Sequence, residues 1–139
     1  MVFNYEYYEE YCKMYCGTCV EKYTDVMYKW CNPCQANYIK NNSNRTSRNE
    51  NINNFIQEMQ LKINNPFDIV FEWVSHDQFK YIKEIGRGGF ATVYLAVWID
   101  GPLHYDYDKM EWTRESNKQV ALKRLNNSQN ITNEFLNEV

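Results

Sequence analysis

Residues 85–94 read IGRGGFATVY, with three glycines close together and a β-branched and aromatic run directly after them. A period of two runs from Phe79 to Ile85 and resumes in residues 93–98, after the glycines. Such alternation predicts two β-strands, and a glycine turn between them predicts an antiparallel hairpin. A third alternating run, in residues 119–125, predicts a third strand. The sequence therefore predicts an antiparallel sheet of three strands.

The glycine turn has the composition of a phosphate-binding loop. Glycines let backbone N–H groups come close to phosphate oxygens, because no Cβ is in the way. A dinucleotide-binding loop would begin a helix, whereas residues 92–98 are strand formers, and the Lys-Ser/Thr of a nucleotide-binding P-loop is missing. We therefore interpret the turn as a loop between two strands that covers phosphates.

Three elements of the kinase signature occur in order. They are Gly86-x-Gly88-x-x-Ala91-x-Val93, then Val120-Ala121-Leu122-Lys123, and then Glu138. Residues 79–139 therefore resemble the N-terminal lobe of a eukaryotic protein kinase. The cysteine-rich start and the asparagine-rich linker are similar to those of fungal tyrosine-kinase-like Ser/Thr kinases.

The resemblance implies ATP, used with magnesium, as the cofactor. Lys123 would bind the α- and β-phosphates, and Glu138 would pair with Lys123 and hold it in place. The implied ATP-binding residues are Ile85, Gly86, Arg87, Gly88, Gly89, Phe90, Ala91, Val93, Ala121 and Lys123. Alanine at position 91, where the family has its third glycine, keeps the N–H donor and is expected to stiffen the loop.

The other kinase motifs, H-R-D, D-F-G and A-P-E, do not occur in these 139 residues. In the family, they supply the catalytic aspartate and the magnesium ligands. We therefore expect no catalytic residue here, no phosphoryl transfer by these residues alone, and weak ATP binding or none. Two functions stay open: the N-terminal portion of a kinase that phosphorylates protein hydroxyl groups, or a non-catalytic kinase-like module that binds protein partners.

The cysteines indicate a metal site. All five lie within residues 12–34, and four of them form two C-x2-C pairs with eleven residues between, at Cys16, Cys19, Cys31 and Cys34. Four thiolates can complete a tetrahedral shell around zinc. We predict a structural zinc knuckle without an open, catalytic position. A disulfide or redox pair and free buried cysteines are the alternatives, and Cys12 is left over.

Composition limits the partners and the compartment. The net charge of −3 disfavours nucleic acid, since binding to phosphates needs clustered lysine and arginine. The start, MVFNYEYYEEYC, is acidic and aromatic, unlike a signal peptide. No run approaches the roughly 20 apolar residues of a membrane span. We therefore expect a soluble, cytoplasmic protein without a membrane partner.

A helix is predicted between the cysteines and the sheet. Ser47-Arg48-Asn49-Glu50 has the spacing of a capping box. Apolar residues then recur at helical spacing, at Ile52, Phe55, Ile56, Met59 and Ile63. Asn64-Asn65-Pro66 is expected to end the helix, because the residue before proline avoids helical angles. We interpret it as an amphipathic helix.

Two segments flank the third strand. Residues 99–118 form a long connection with Tyr105, Tyr107 and Trp112, which we interpret as a lengthened hairpin, with a partner-binding loop as the alternative. Residues 128–139 are predicted to begin a helix, because Ile131, Phe135 and Val139 are four apart.

Composition, helical spacing and the resemblance together divide the chain into four predicted segments. Residues 1–39 are the cysteine-rich zinc module, and residues 40–50 are an asparagine-rich linker. Residues 51–77 are the amphipathic helix and a connector, and residues 78–139 are the kinase-like lobe. The predicted fold class is α+β: an antiparallel sheet of kinase N-lobe type with the start of the αC helix, preceded by the four-cysteine module and the amphipathic helix.

Overall fold

A computed structural model describes residues 5–43 and 46–126. The helices within these residues are α1 (Tyr5–Met14), α2 (Asn32–Asn42) and α3 (Glu50–Leu61), with a 3-10 turn at His76–Gln78. The strands are β1 (Phe79–Arg87), β2 (Ala91–Trp98), β3 (Leu103–Asp106), β4 (Glu111–Arg114) and β5 (Lys118–Leu125). The predicted α+β class with an antiparallel sheet is confirmed. Across the same residues, no helix is both long and apolar enough to cross a bilayer.

The main sheet has the strand order β1-β2-β5, and both strand pairs are antiparallel. The predicted uniform alternation through β1 is wrong, because its register with β2 shifts between Lys80 and Lys83 and again between Glu84 and Gly86. Tyr81 lies at the first shift with φ at 55°, a left-handed conformation that inserts an extra residue into the strand. The first shift places Lys80 and Lys83 on the same face of the sheet. In a strand without a bulge, residues three apart would lie on opposite faces.

The long connection between β2 and β5 contains a hairpin of its own, formed by β3 and β4. Its turn is closed by Asp106, whose Oδ1 accepts hydrogen bonds from the N–H groups of Asp108 and Lys109, both at 3.1 Å. An aspartate that binds backbone groups two and three residues ahead is a common way to reverse a chain.

The contacts divide the chain into two compact units, each of which is built from three separate stretches of the sequence. Within the described residues, the first unit, called here the cysteine unit, contains residues 5–43, 56–72 and 104–113. The second, called the sheet unit, contains residues 46–55, 73–103 and 114–126. Most of the β3–β4 hairpin therefore belongs to the cysteine unit, although in the sequence it lies between β2 and β5 of the main sheet.

Aromatic packing explains this placement of the hairpin. The core of the cysteine unit consists of four buried residues, Trp30, Ile39, Ile63 and Tyr105. The rings of Trp30 and Tyr105 meet edge to face with their centroids 4.9 Å apart. Trp112 stacks on Tyr38 at 5.7 Å and donates a 2.7 Å hydrogen bond from Nε1 to Oε1 of Gln35. The hairpin thus supplies one of the four core residues.

The bounds of the helices differ from their predictions. Asn49, not Ser47, caps α3, because its Oδ1 accepts hydrogen bonds from the N–H groups of Asn51 and Ile52 at 2.9 and 3.4 Å. The helix ends at Leu61, before the predicted stop at residues 64–66. Helix α2 extends to Asn42 and so includes the first residues of the predicted linker. The predicted helix from residue 128 lies outside the described residues.

Candidate metal centre

The first cysteine pair lies in a tight reversal directly after α1. The N–H of Cys16 donates to the carbonyl of Glu21 at 2.7 Å, and the N–H of Val20 donates to the carbonyl of Cys16 at 2.9 Å. Val20 has φ at 57°, a left-handed conformation that turns the chain back immediately after Cys19. This reversal places the side chains of Cys16 and Cys19 on the same side of a short loop.

The second cysteine pair lies at the start of α2. Cys31 is extended, with φ at −118° and ψ at 105°, and precedes a first turn that contains Pro33 and Cys34. Proline is well tolerated here, because its missing N–H has no partner inside the first helical turn. The N–H of Asn32 donates to the hydroxyl of Thr24 at 2.9 Å, which fixes the chain as it enters the helix.

The two pairs meet in one cluster. The Sγ atoms of Cys16, Cys19, Cys31 and Cys34 all lie within 4.8 Å of one another. Two separations join the two pairs: 3.8 Å from Cys16 to Cys34 and 3.5 Å from Cys19 to Cys31. A tetrahedron of sulfurs with 2.3 Å bonds to zinc has edges of about 3.8 Å. The four predicted cysteines are therefore close enough to hold one metal ion.

The fifth cysteine is separate from this cluster. Cys12 lies on α1 and is exposed, whereas Cys16 and Cys31 are buried and the other two are half-buried. All five are free thiols.

Backbone N–H groups point at the sulfurs. Burial raises the pKa of the Cys16 thiol, but hydrogen bonds from the N–H groups of Cys19 and Thr18, together with those from the Cys34 and Cys19 thiols, lower that pKa to about 7. Burial raises the pKa of Cys31 even though the N–H of Cys34 donates to its sulfur, and burial also raises the pKa of Cys34. Four thiolates at these distances repel one another, so all four can be ionised only around a cation.

The glycine loop closes the β1–β2 hairpin with a tight turn, in which the N–H of Gly88 donates to the carbonyl of Ala91 at 2.8 Å. None of its glycines has a positive φ, and Ala91 is likewise free of that strain. A Cβ added at Gly86 or Gly89 would meet no atom within 4 Å. The fold of the described residues therefore does not itself require glycine at these two positions.

Four of the predicted nucleotide-binding residues, Gly86, Val93, Ala121 and Lys123, lie on one face of the sheet. The register pairs Gly86 with Val93 and Val93 with Lys123, so these three residues form one row across the strands. The next row pairs Leu95 with Lys83 and with Ala121. Paired residues of antiparallel strands share a face, so Lys83 joins Lys123 there. The sequence pattern missed Lys83, because the register shifts in β1 leave no local signal.

Three other predicted residues do not join this row. Ile85 falls in the second register shift of β1 and is 55% exposed, and Phe90, at the tip of the loop, is 89% exposed. Arg87 is paired with Glu84 through a 2.9 Å contact between Nε and Oε1. Glu138, the predicted partner of Lys123, lies outside the described residues.

Comparison of the chain with protein-family models, with curated proteins and with solved structures finds no match. The functional proposals therefore rest on the cysteine cluster and on the sheet face that carries Lys123.

Proposed function

We propose that the chain combines a structural zinc site with the nucleotide-binding lobe of a protein kinase. The zinc site consists of Cys16, Cys19, Cys31 and Cys34. The nucleotide site consists of the glycine loop and Lys123, with ATP and magnesium as the cofactors of the complete kinase. One observation carries the second assignment: the register Gly86–Val93–Lys123 brings the loop and the lysine into one row of the sheet.

The chemistry of the donor set supports zinc. Four cysteine sulfurs leave no position for water or substrate, which is typical of structural rather than catalytic zinc sites. The four buried residues Trp30, Ile39, Ile63 and Tyr105 form a small core for a unit of this size. Small domains of this kind commonly depend on a metal for folding, because burial alone offsets little more than the lost chain entropy.

Metal content tests the zinc assignment. The complete chain, purified under reducing conditions without chelator, is expected to contain one zinc ion per chain. The C12S variant is expected to keep it, because Cys12 is exposed and outside the cluster. The C16S and C34S variants are expected to lose most of it. Protein free of zinc, or a C12S variant as depleted as C16S, would contradict a site built from these four residues.

The charge and shape of the sheet face support nucleotide binding. Lys123 is exposed and has no ion-pair partner in the part of the chain that the structure describes. Lys83 lies on the same face, whereas Glu84 lies on the other, where it pairs with Tyr94 of β2. Open space beside Gly86 and Gly89 leaves room for phosphates to approach the backbone.

Exchange of one lysine at a time tests the nucleotide assignment. The K123M variant is expected to bind ATP at least about tenfold more weakly than the wild type in a calorimetric titration to millimolar ATP, since a hydrogen bond to a charged group contributes about 1.5–3 kcal/mol. K118M is the matched control. Lys118 lies on the same strand, but on the opposite face, and pairs with Glu115 at 2.8 Å. Equal losses of ATP affinity in both variants would instead indicate non-specific electrostatic attraction between the chain and ATP.

A non-catalytic interaction module is the second candidate. Large apolar and aromatic side chains of the cysteine unit face solvent, among them Tyr5, Leu61 and Ile69, each more than 70% exposed. Exposed apolar surface of this extent often marks a site of protein association. A chain that contains zinc, and that associates with a protein partner through these side chains without binding ATP, would favour this candidate.

A further inference from the structure

One residue after β5 binds three consecutive carbonyl groups of the glycine loop. The backbone N–H of Asn126 donates to the carbonyl of Phe90 at 2.8 Å. Its side-chain Nδ2 donates to the carbonyls of Gly88 and Gly89, both at 3.3 Å. Asn126 follows Lys123 by three residues on the same chain segment. The loop is therefore tied to the end of the strand that carries the lysine.

These bonds also set the direction of the loop's N–H groups. In a trans peptide, the carbonyl of one residue and the N–H of the next point in opposite directions. Because the carbonyls of Gly88 and Gly89 point at Asn126, the N–H groups of Gly89 and Phe90 point away from it. Neither N–H has a partner among the described residues. Consecutive N–H groups that point outward form a binding site for an anion such as phosphate.

We propose that Asn126 is a positioning residue, which holds the glycine loop with the N–H groups of Gly89 and Phe90 turned toward the phosphate chain of a nucleoside triphosphate. This role rests on the proposed nucleotide-binding function. Glycines give a loop many conformations, and binding would have to select one of them. Asn126 selects it in advance, so the loop needs less ordering when the phosphates bind.

The side chain of Asn126 is suited to this role by its donors. The amide nitrogen carries two hydrogens and can serve two carbonyls at once. Aspartate has the same shape but only acceptors when ionised, so it would repel the two carbonyl oxygens. Leucine matches the volume and removes the donors, while the backbone N–H stays in place. Comparing these variants separates the effect of the side-chain donors from that of packing.

The experiment uses the complete chain with the variants N126L and N126D, and with Q119L as the control, since Gln119 is an exposed amide near the opposite end of β5 from Asn126. ATP, inorganic tripolyphosphate and adenosine are titrated, and NMR order parameters of the loop amides are measured without ligand. N126L is expected to lower the order parameters of residues 88–90 and to weaken ATP and tripolyphosphate binding about tenfold, with N126D weaker still. Adenosine affinity and the melting temperature are expected to stay unchanged.

Each outcome decides a different point. Unchanged order parameters and unchanged tripolyphosphate affinity in N126L would overturn the proposal. An equal loss of adenosine affinity in N126L would also overturn it, and so would the same losses in Q119L. If Asn126 acts only by holding the phosphate loop, adenosine binding and the Q119L variant are unaffected. If the wild type binds neither ATP nor tripolyphosphate, the nucleotide function fails and takes the phosphate role with it. The order parameters then still show whether Asn126 holds the loop.

Discussion

Replacing Cys31 with serine is expected to unfold the cysteine unit of the zinc-loaded protein, including the inserted hairpin of residues 104–113. A structural zinc site supplies about 10–16 kcal/mol of apparent binding free energy, and an equal share for one ligand of four is roughly 2.5–4 kcal/mol. Cys31 is 1% exposed and directly follows Trp30, which is fully buried. The loss of the ligand therefore disturbs the core at its centre, and zinc affinity is expected to fall several hundredfold.

The hairpin is expected to respond to loss of the proposed zinc, because its aromatic residues pack on the same core. Tyr105 meets Trp30 edge to face, and Trp112 binds Gln35 of α2 through its indole N–H. Near-ultraviolet circular dichroism is expected to lose the contribution of Trp30 and Trp112 in C31S, whereas Trp73 and Trp98 of the sheet unit keep theirs. Amide hydrogens of β3 and β4 are expected to exchange faster. The C12S variant is expected to match the wild type. Slow exchange in the hairpin of C31S would show that it folds without the metal.

Replacing Gly101 with alanine is expected to destabilise the sheet unit by about 2–5 kcal/mol. Gly101 has φ at 76°, where an L-residue is strained, and a Cβ there would lie 1.8 Å from the carbonyl oxygen of Glu115. That oxygen belongs to backbone and cannot turn aside as a flexible side chain would. Arg114 donates a 2.8 Å hydrogen bond to the carbonyl of Gly101, which holds the two segments together.

Urea denaturation of matched glycine variants tests this expectation. G89A is the control, because Gly89 has neither a positive φ nor an atom within 4 Å of an added Cβ. G89A is expected to change the free energy of unfolding by less than about 1 kcal/mol. A G101A variant as stable as G89A would contradict this expectation. It would mean that the backbone segments at residues 101 and 115 can move apart at little cost in free energy.

The sequence predicts those parts of the fold that have a local pattern. Alternating residues gave β1, β2 and β5, and paired spacing identified the four cysteines that cluster. The cap of α3 is Asn49 and not the predicted Ser47. Several residues able to cap a helix are close together there, so the sequence does not single one out. Helix α1 was not predicted, although Tyr8, Tyr11 and Tyr15 recur at helical spacing in and directly after it.

Features set by distant contacts had no signal in the sequence. Trp112 and Gln35 are 77 residues apart, so nothing near either residue indicates that the inserted hairpin joins the cysteine unit. Lys83 reaches the face of Lys123 only through the register shifts of β1. The hold of Asn126 on the glycine loop likewise depends on the return of β5 to the loop, which spacing alone does not fix.

The bond between Gln35 and Trp112 has a consequence for how the protein is made. During synthesis, the four cysteines leave the ribosome long before the hairpin that completes their core. At about 5–20 residues per second, the delay from residue 34 to residue 113 is roughly 4–16 s. Throughout that interval, the nascent chain presents Trp30 without Tyr105 and Trp112. Early binding of the proposed zinc would keep the two cysteine pairs together until the rest of the core has been synthesised.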